Sequence, residues 1–165
     1  MSKSFFRLLS MLLVGVGFAA CSLNLPSDYT PRLGAANFLS YNGAKVDTLS
    51  AIVVDGVYRL DTIALGDTVS FMALMDSYTN SLVSFTMQAD TTLLHYVFIT
   101  DSIQRALDNS SRPEEGVLYF KSGYNGAAFP IVYVPQKTGT PKVTLTVESD
   151  SKFPTQTLTF VQPVQ

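Results

Sequence analysis

The stretch KVTLTVE, from Lys142 to Glu148, alternates between polar and apolar side chains without interruption. Val143, Leu145 and Val147 fall on one face, because successive side chains of a β-strand point to opposite sides. A period of two with one apolar face is typical of a strand that covers a core. A similar pattern, with Leu158 inward, follows a polar loop, so the C-terminal part of the chain predicts two strands on one core.

Turn signals divide the rest of the chain into further short strands. The dipeptide Asp55-Gly56 separates the apolar runs 51–54 and 57–60, and both residues readily adopt the positive φ of a tight hairpin turn. Residues 93–99 are apolar on both faces, which indicates a buried strand or a short helix. Further strand patterns cover residues 68–75, 82–88, 117–120 and 129–134. The sequence predicts an all-β domain of about seven to nine strands with turn signals roughly every 8 to 12 residues.

Two segments resemble bacterial immunoglobulin-like domains. One is the turn into a core strand at 66–71, and the other is the C-terminal succession of Pro135, Gly139, an alternating strand and a closing strand. The resemblance covers about residues 46–163 and implies an antiparallel sandwich. The chain has no Trp and one Cys, so apolar packing alone would hold this core. A small β-barrel is the competing all-β architecture.

One short helix is predicted between Asp101 and Asp108. Asp101 or Ser102 could cap its N-terminus, and Ile103 and Ala106 would give it an apolar face.

The N-terminus carries a targeting signal. Lys3 and Arg7 precede the apolar run 8–20, which is shorter than the about 20 residues that a bilayer-spanning helix needs. A basic, then apolar, then small-residue order predicts a cleaved secretory signal. The segment Phe18-Ala19-Ala20-Cys21 resembles the bacterial lipobox, although that family prefers Leu where this chain has Phe18. The resemblance implies cleavage before Cys21 and a covalent lipid on its sulfur.

The predicted organisation has three parts. Residues 1–20 are a cleaved signal, 21–35 a lipidated N-terminus and tether, and 36–165 the β-sandwich domain. Cleavage leaves nine basic against thirteen acidic residues, a net charge of −4. Ser22 rather than Asp follows Cys21, which by the rule known for enteric lipoproteins favours the outer membrane. Only one late acid follows the cysteine, so a periplasm-facing anchor is expected rather than a surface-exposed one.

Composition narrows the possible functions. The 165 residues include only 11 Lys and Arg without clustering, which excludes a nucleic-acid partner. The single His95 lies in an apolar run and no Gly-x-Ser-x-Gly elbow is present, so no catalytic residue is predicted. One His and one lipidated Cys predict no metal site, and the lipid is the only attached group expected. Whether Asp-rich turns converge to bind Ca²⁺ is left open.

We therefore expect a non-catalytic, lipid-anchored envelope protein with an interaction domain for a protein or glycan partner. The alternatives are a structural accessory subunit of an envelope complex or surface fibre, and a small hydrolase. An exposed apolar strand edge would favour the accessory subunit, because such edges accept further strands.

Two residue patterns suggest finer roles. One is a tripeptide in which Asp is followed by Ser or Thr and then by an apolar residue or Thr. This tripeptide resembles an O-glycosylation acceptor motif of exported proteins in some Gram-negative anaerobes. Turn-to-strand junctions produce the same pattern. The candidate acceptors are Thr48, Thr62, Thr68, Thr91 and Ser102. Tyrosines near predicted turns are either an aromatic platform for a sugar or protein, or ordinary half-buried residues. They are Tyr29, Tyr41, Tyr58, Tyr78 and Tyr124.

Overall fold

Two β-sheets pack face to face in the computed structural model, which describes residues 28–165. The five-stranded sheet has the order β2-β1-β5-β9-β7, and the six-stranded sheet has the order β3-β4-β11-β10-β6-β8. The first contains β1 Arg32–Asn42, β2 Lys45–Thr48, β5 Thr68–Asp76, β7 Leu94–Phe98 and β9 Gly126–Pro135. The second contains β3 Ala51–Val54, β4 Val57–Leu60, β6 Leu82–Ala89, β8 Val117–Tyr119, β10 Lys142–Ser149 and β11 Thr155–Val161.

This architecture confirms the antiparallel sandwich and not the closed barrel, because each sheet ends in two edge strands. Among the paired strands of residues 28–165, only β4 and β11 run parallel, and an isolated parallel bridge joins Ile63 to Val164. The structure has eleven strands within residues 28–165, whereas the sequence predicts seven to nine. The added strands include Lys45–Thr48, whose polar residues show no core pattern because all four lie exposed at a sheet edge.

The core confirms the alternation in the C-terminal strands. Val143, Leu145 and Val147 are completely buried. Phe38 and Phe71 of the five-stranded sheet pack on Phe160 of the other sheet, with ring centroids 5.3 and 5.4 Å from that of Phe160. The rings of Phe38 and Phe71 stack on each other at 4.9 Å. We call these three rings, together with Tyr133, the aromatic cluster. Burial of these aromatic rings, together with aliphatic side chains from both sheets, stabilises the packing of the two layers.

A bulge in β1 places Phe38 in that cluster. Ala36 pairs with Met72 but Leu39 pairs with Ser70, so β1 carries one extra residue. Asn37 absorbs it with φ of +57°, a conformation that Asn tolerates better than most residues. β1 also begins at Arg32, inside the segment that was expected to be a tether.

Two local predictions need correction. Leu94–Phe98 is an edge strand, and the side chains of His95 and Val97 are exposed rather than buried. The helix predicted at 101–108 is a 3-10 helix, Asp101–Ala106, with Ile103 and Ala106 buried as expected. Its N-cap is Thr100 without a side-chain hydrogen bond, so neither predicted cap acts, because the turn begins one residue earlier. A second 3-10 turn covers Pro113–Glu115.

Candidate binding surfaces

The hairpin of β3 and β4 forms at the predicted turn. Asp55 and Gly56 have φ of +51° and +77°, as a type I′ turn requires, and Val54 pairs with Val57. Within its sheet the hairpin pairs through β4, which runs parallel to β11 for two residue pairs. β3 is therefore the outermost strand of its sheet.

Strand β3 is apolar and yet exposed along its whole length. All four residues Ala51–Val54 are exposed, with Ile52 and Val53 each 61% accessible and Val54 49%. Burying such a side chain would contribute about 1.5 to 3 kcal/mol, so the domain leaves a substantial stabilisation unused here. Edge strands are usually protected by Lys, Pro or a bulge, and β3 has none of these.

A cleft of about 250 Å³ opens between the sheets beside β3. Phe38 and Phe160 of the aromatic cluster line it, and Ala51 and Tyr58 contribute from the hairpin. Val53 pairs directly with Tyr58, so the cleft continues onto the same face of β3. We call β3 together with this cleft the edge site. The other cleft residues are Ala35, Ala36, Asn37, Thr48, Leu49 and Leu158.

Two aspartates hold turns of the sandwich, and Asp61 does so next to the edge site. The Asp61 carboxylate accepts a hydrogen bond of 2.8 Å from the amide of Ser50, which fixes the connection from β2 to β3. Asp67 is buried and accepts hydrogen bonds from the Asn42 side-chain amide at 2.8 Å and the Ala64 backbone amide at 3.1 Å. These acids serve the turns, and within residues 28–165 no three His, Cys, Asp or Glu side chains form a group that could hold a metal ion.

Of the five tyrosines proposed as a platform, the structure brings Tyr29 and Tyr78 together. Their ring centroids are 5.2 Å apart. Tyr58 instead lines the edge site. Tyr41 is half-buried and its hydroxyl lies 3.5 Å from the Ser70 hydroxyl.

The structure places the remaining predicted residues as follows. Cys21 lies outside the described residues. His95 is exposed on edge strand β7, at the other sheet. Thr68 is half-buried at the start of β5, whereas the other four candidate acceptors are exposed. Those four are Thr48, Thr62, Thr91 and Ser102.

The described part of the chain has no helix with the length and apolar character that a bilayer crossing requires. Sequence reasoning missed the cleft, because Phe38 and Leu158 come together only through the bulge and the sheet order. The run of apolar residues in β3 was visible in the sequence.

No protein-family profile matches the sequence, and no curated protein matches it either. Among solved structures, the C-terminal domain of the Streptococcus pyogenes antigen I/II-family protein AspA has a TM-score of 0.48 and 16% identity, covering 83% of this chain and 47% of its own. The chain thus spans less than half the length of that structure. A PapD-like domain of human CEP192 has a TM-score of 0.41 and 10% identity, and the match covers 81% of this chain and 84% of that domain. A family 123 glycoside hydrolase from Clostridium perfringens has a TM-score of 0.38 and 14% identity, and the match covers 80% of this chain and 27% of the hydrolase.

Proposed function

We propose that this protein is a non-catalytic, lipid-anchored envelope protein that docks an extended segment of another protein at the edge site. The observation that carries the proposal is β3, an apolar strand with no protective charge at the edge of a sheet. Such a strand offers unpaired backbone donors and acceptors to a further strand. The same observation favours the accessory-subunit form of the proposal, in which the partner is another component of an envelope complex.

The docking geometry follows from the two parts of the edge site. A partner strand beside Ala51–Val54 forms backbone hydrogen bonds along the edge, and its apolar side chains cover Ile52 and Val53. One of its large side chains enters the cleft toward Phe38. At about 250 Å³ the cleft lies below the roughly 300 Å³ at which small-molecule pockets begin, so it suits a side chain of a docked peptide.

The partner segment should itself be apolar and uncharged. None of the residues of β3 carries a charge, and the cleft is lined by none. A charge placed over the cleft would lose water without gaining an ionic partner, which costs free energy. His95 lies exposed on the edge strand of the other sheet, and it is not among the residues that line the cleft.

Anchoring at Cys21 is the second part of the proposal. Two or three acyl chains hold a protein at a membrane far more firmly than one, since each buried CH₂ contributes about 0.8 kcal/mol. Ten residues separate Cys21 from β1, so the sandwich stays within about 35 Å of the bilayer even if they are fully extended. We place the anchor in the outer membrane with the domain facing the periplasm.

A Cys21→Ser variant tests the anchor. We expect labelled palmitate to be incorporated into the wild-type protein and not into the variant. Protease treatment of intact cells should leave the wild-type domain uncut. Unlabelled wild-type protein, or equal labelling of the variant, contradicts the lipid anchor, and cleavage in intact cells contradicts only the periplasmic orientation.

Site-specific photocrosslinking tests the docking. A photoreactive residue at Val53, in the full chain in its native envelope, should give a discrete adduct with one protein. A second substitution, Ile52→Lys, should remove that adduct, because it places a charge on the apolar edge. Val97 is the matched control position, as an apolar residue with 46% exposure on the edge strand of the other sheet. Equal adducts from Val53 and Val97, or only monomer in the native envelope, would contradict the proposal.

A further inference from the structure

A second surface lies on the outer face of the five-stranded sheet. Leu74 is 40% exposed there and pairs with Gly34 on one side and Ala128 on the other. The next row across the same face is Arg32, Asp76 and Gly126. The small residues leave an open groove of about 630 Å³, within the range of ligand sites. We call this groove, together with the neighbouring rings of Tyr29 and Tyr78, the tyrosine groove.

Tyr78 is held at the end of this groove in a strained conformation. Its φ is +60°, which is unusual for a bulky residue. Such a conformation costs roughly 1 to 3 kcal/mol and persists only where the surrounding structure fixes it. The Asp76 carboxylate accepts a 2.8 Å hydrogen bond from the Tyr78 amide. The Asn125 side chain donates a 2.6 Å bond to the Tyr78 carbonyl oxygen. Buried Ser77 braces the turn by donating to Asn80 and Asn125 carbonyl oxygens. Such strain commonly marks a functional position.

The ring that this turn presents is part of a built polar and aromatic surface. Arg32 Nε donates a 2.7 Å hydrogen bond to the Tyr78 hydroxyl, and the guanidinium lies 4.7 Å from the ring centroid. The ring of Tyr29, a residue 65% exposed, contacts Tyr78 from another side. The arginine is therefore oriented before any ligand arrives, which lowers the entropy that binding costs.

We infer that the tyrosine groove binds a neutral oligosaccharide. Sugar rings present C–H faces that pack on aromatic and aliphatic surfaces such as Tyr29 and Leu74, and hydroxyls that pair with planar charged groups. The groove offers one guanidinium and one carboxylate, from Arg32 and Asp76, and no ion pair joins these two within residues 28–165. The two charges balance, so an uncharged ligand with many hydroxyls fits better than an anion. An open groove suits a chain of sugars more than a single enclosed unit.

Gly34 provides the sharpest variant. A Cβ at this position meets no atom closer than 3.7 Å, and the φ is not in the left-handed region. A Cβ at this position therefore fits the strand, and the two methyl groups of Gly34→Val extend from it on the groove side of the sheet. We expect an unchanged or higher melting temperature together with the loss of sugar binding.

Saturation-transfer NMR on the full chain, in a detergent without a sugar headgroup, provides the assay. The probes are maltotetraose, cellotetraose, chitotetraose and mannotetraose, with a heparin tetrasaccharide as the anionic comparison. At least one neutral probe should bind at millimolar concentration or below. Arg32→Ala should weaken it at least tenfold and Gly34→Val should abolish it, whereas Tyr119→Ala, an exposed tyrosine on the other sheet, should not change it.

Three results would overturn the inference. They are no binding of any neutral probe, binding of heparin alone, and unchanged binding by Gly34→Val. Val53→Lys should leave sugar binding intact, and Gly34→Val should leave the photocrosslink at Val53 intact. Failure of one site is thereby distinguished from failure of the other.

Discussion

The buried hydrogen bond between Tyr133 and Gln162 offers a direct test of how much a polar contact between the two sheets contributes to the stability of the domain. The Tyr133 hydroxyl donates to the Gln162 side-chain oxygen at 2.7 Å, and both residues are completely buried. Tyr133 belongs to β9 of the five-stranded sheet, and Gln162 follows β11 of the other. Burial raises the pKa of the Tyr133 hydroxyl, so this group remains a neutral donor. The Gln162 amide nitrogen in turn donates to Asp61 and Pro163 carbonyl oxygens at 2.7 and 3.1 Å.

The expected losses follow from these contacts. Tyr133→Phe removes one donor and leaves the buried Gln162 oxygen without it, which costs about 1 to 3 kcal/mol. Gln162→Met keeps the shape but removes three hydrogen bonds, so we expect a loss of about 1.5 to 4.5 kcal/mol at 0.5 to 1.5 kcal/mol each. In the double variant both groups of the Tyr133–Gln162 hydrogen bond are absent, so neither is left buried without a partner. Its loss should therefore be smaller than the sum of the two single losses by about 1 kcal/mol.

Urea denaturation of the full chain, followed by circular dichroism, measures all four stabilities. The slope of the transition must stay constant for the comparison to hold. Tyr119→Phe is the control, because Tyr119 is 41% exposed and its loss should stay within about 0.5 kcal/mol. A loss below about 0.5 kcal/mol in Tyr133→Phe, or strict additivity in the double variant, would refute the reasoning.

Three further predictions concern a turn, acid stability and modification. Gly116→Ala should lower the free energy of unfolding, measured in urea, by more than about 1 kcal/mol. The reason is that φ is +75° and the new Cβ would lie 2.5 Å from a backbone oxygen of β6. An unchanged free energy of unfolding would contradict this. Hydroxyl and amide donors lower the pKa of two aspartates from the usual 3.8: Thr92 acts on Asp90, and Ser110 acts on Asp108. The stability that these two carboxylates contribute to the fold is therefore present above pH 3.8 and is lost as the pH falls through the lowered pKa values. Thermal melts from pH 5 to 2 should show this loss, and replacing both acids by Ala should flatten it. If the acceptor motif is used, mass spectrometry of the native protein should find added mass on exposed acceptors, and unmodified peptides would favour the turn-junction explanation. These acceptors are Thr48, Thr62, Thr91 and Ser102.

The parts of the fold that the sequence predicts are those with local causes. The 142–148 alternation needs only the strand period, and the Asp55-Gly56 turn needs only two residues that tolerate positive φ. The exposed face of β7 was not predictable in this way. Its apolar residues look like a buried strand, and only the sheet order shows that it lies at an edge.

The candidate sites differ in the same respect. The apolar run of β3 is plain in the sequence, but it reads as core, because composition does not tell which strands lie beside it. The cleft depends on the Asn37 bulge, which turns Phe38 inward, and on the parallel contact of β4 with β11. The tyrosine groove joins Tyr29 to Tyr78 across 49 positions of sequence. Such non-local contacts have no short-range signal.

The two proposed sites share strand β1 but use opposite faces of it. Gly34 faces the tyrosine groove and Ala35 faces the cleft of the edge site. β1 pairs with β5 on both sides of the bulge, so this strand is held in place throughout. Each docking event then finds its surface already formed, and neither needs β1 to move. Since β1 is paired on both sides of the bulge, we expect the coupling free energy between sugar and protein partner to be near zero. Saturating sugar should therefore leave the Val53 crosslink yield unchanged, whereas a severalfold change in that yield would show that β1 transmits a conformational change.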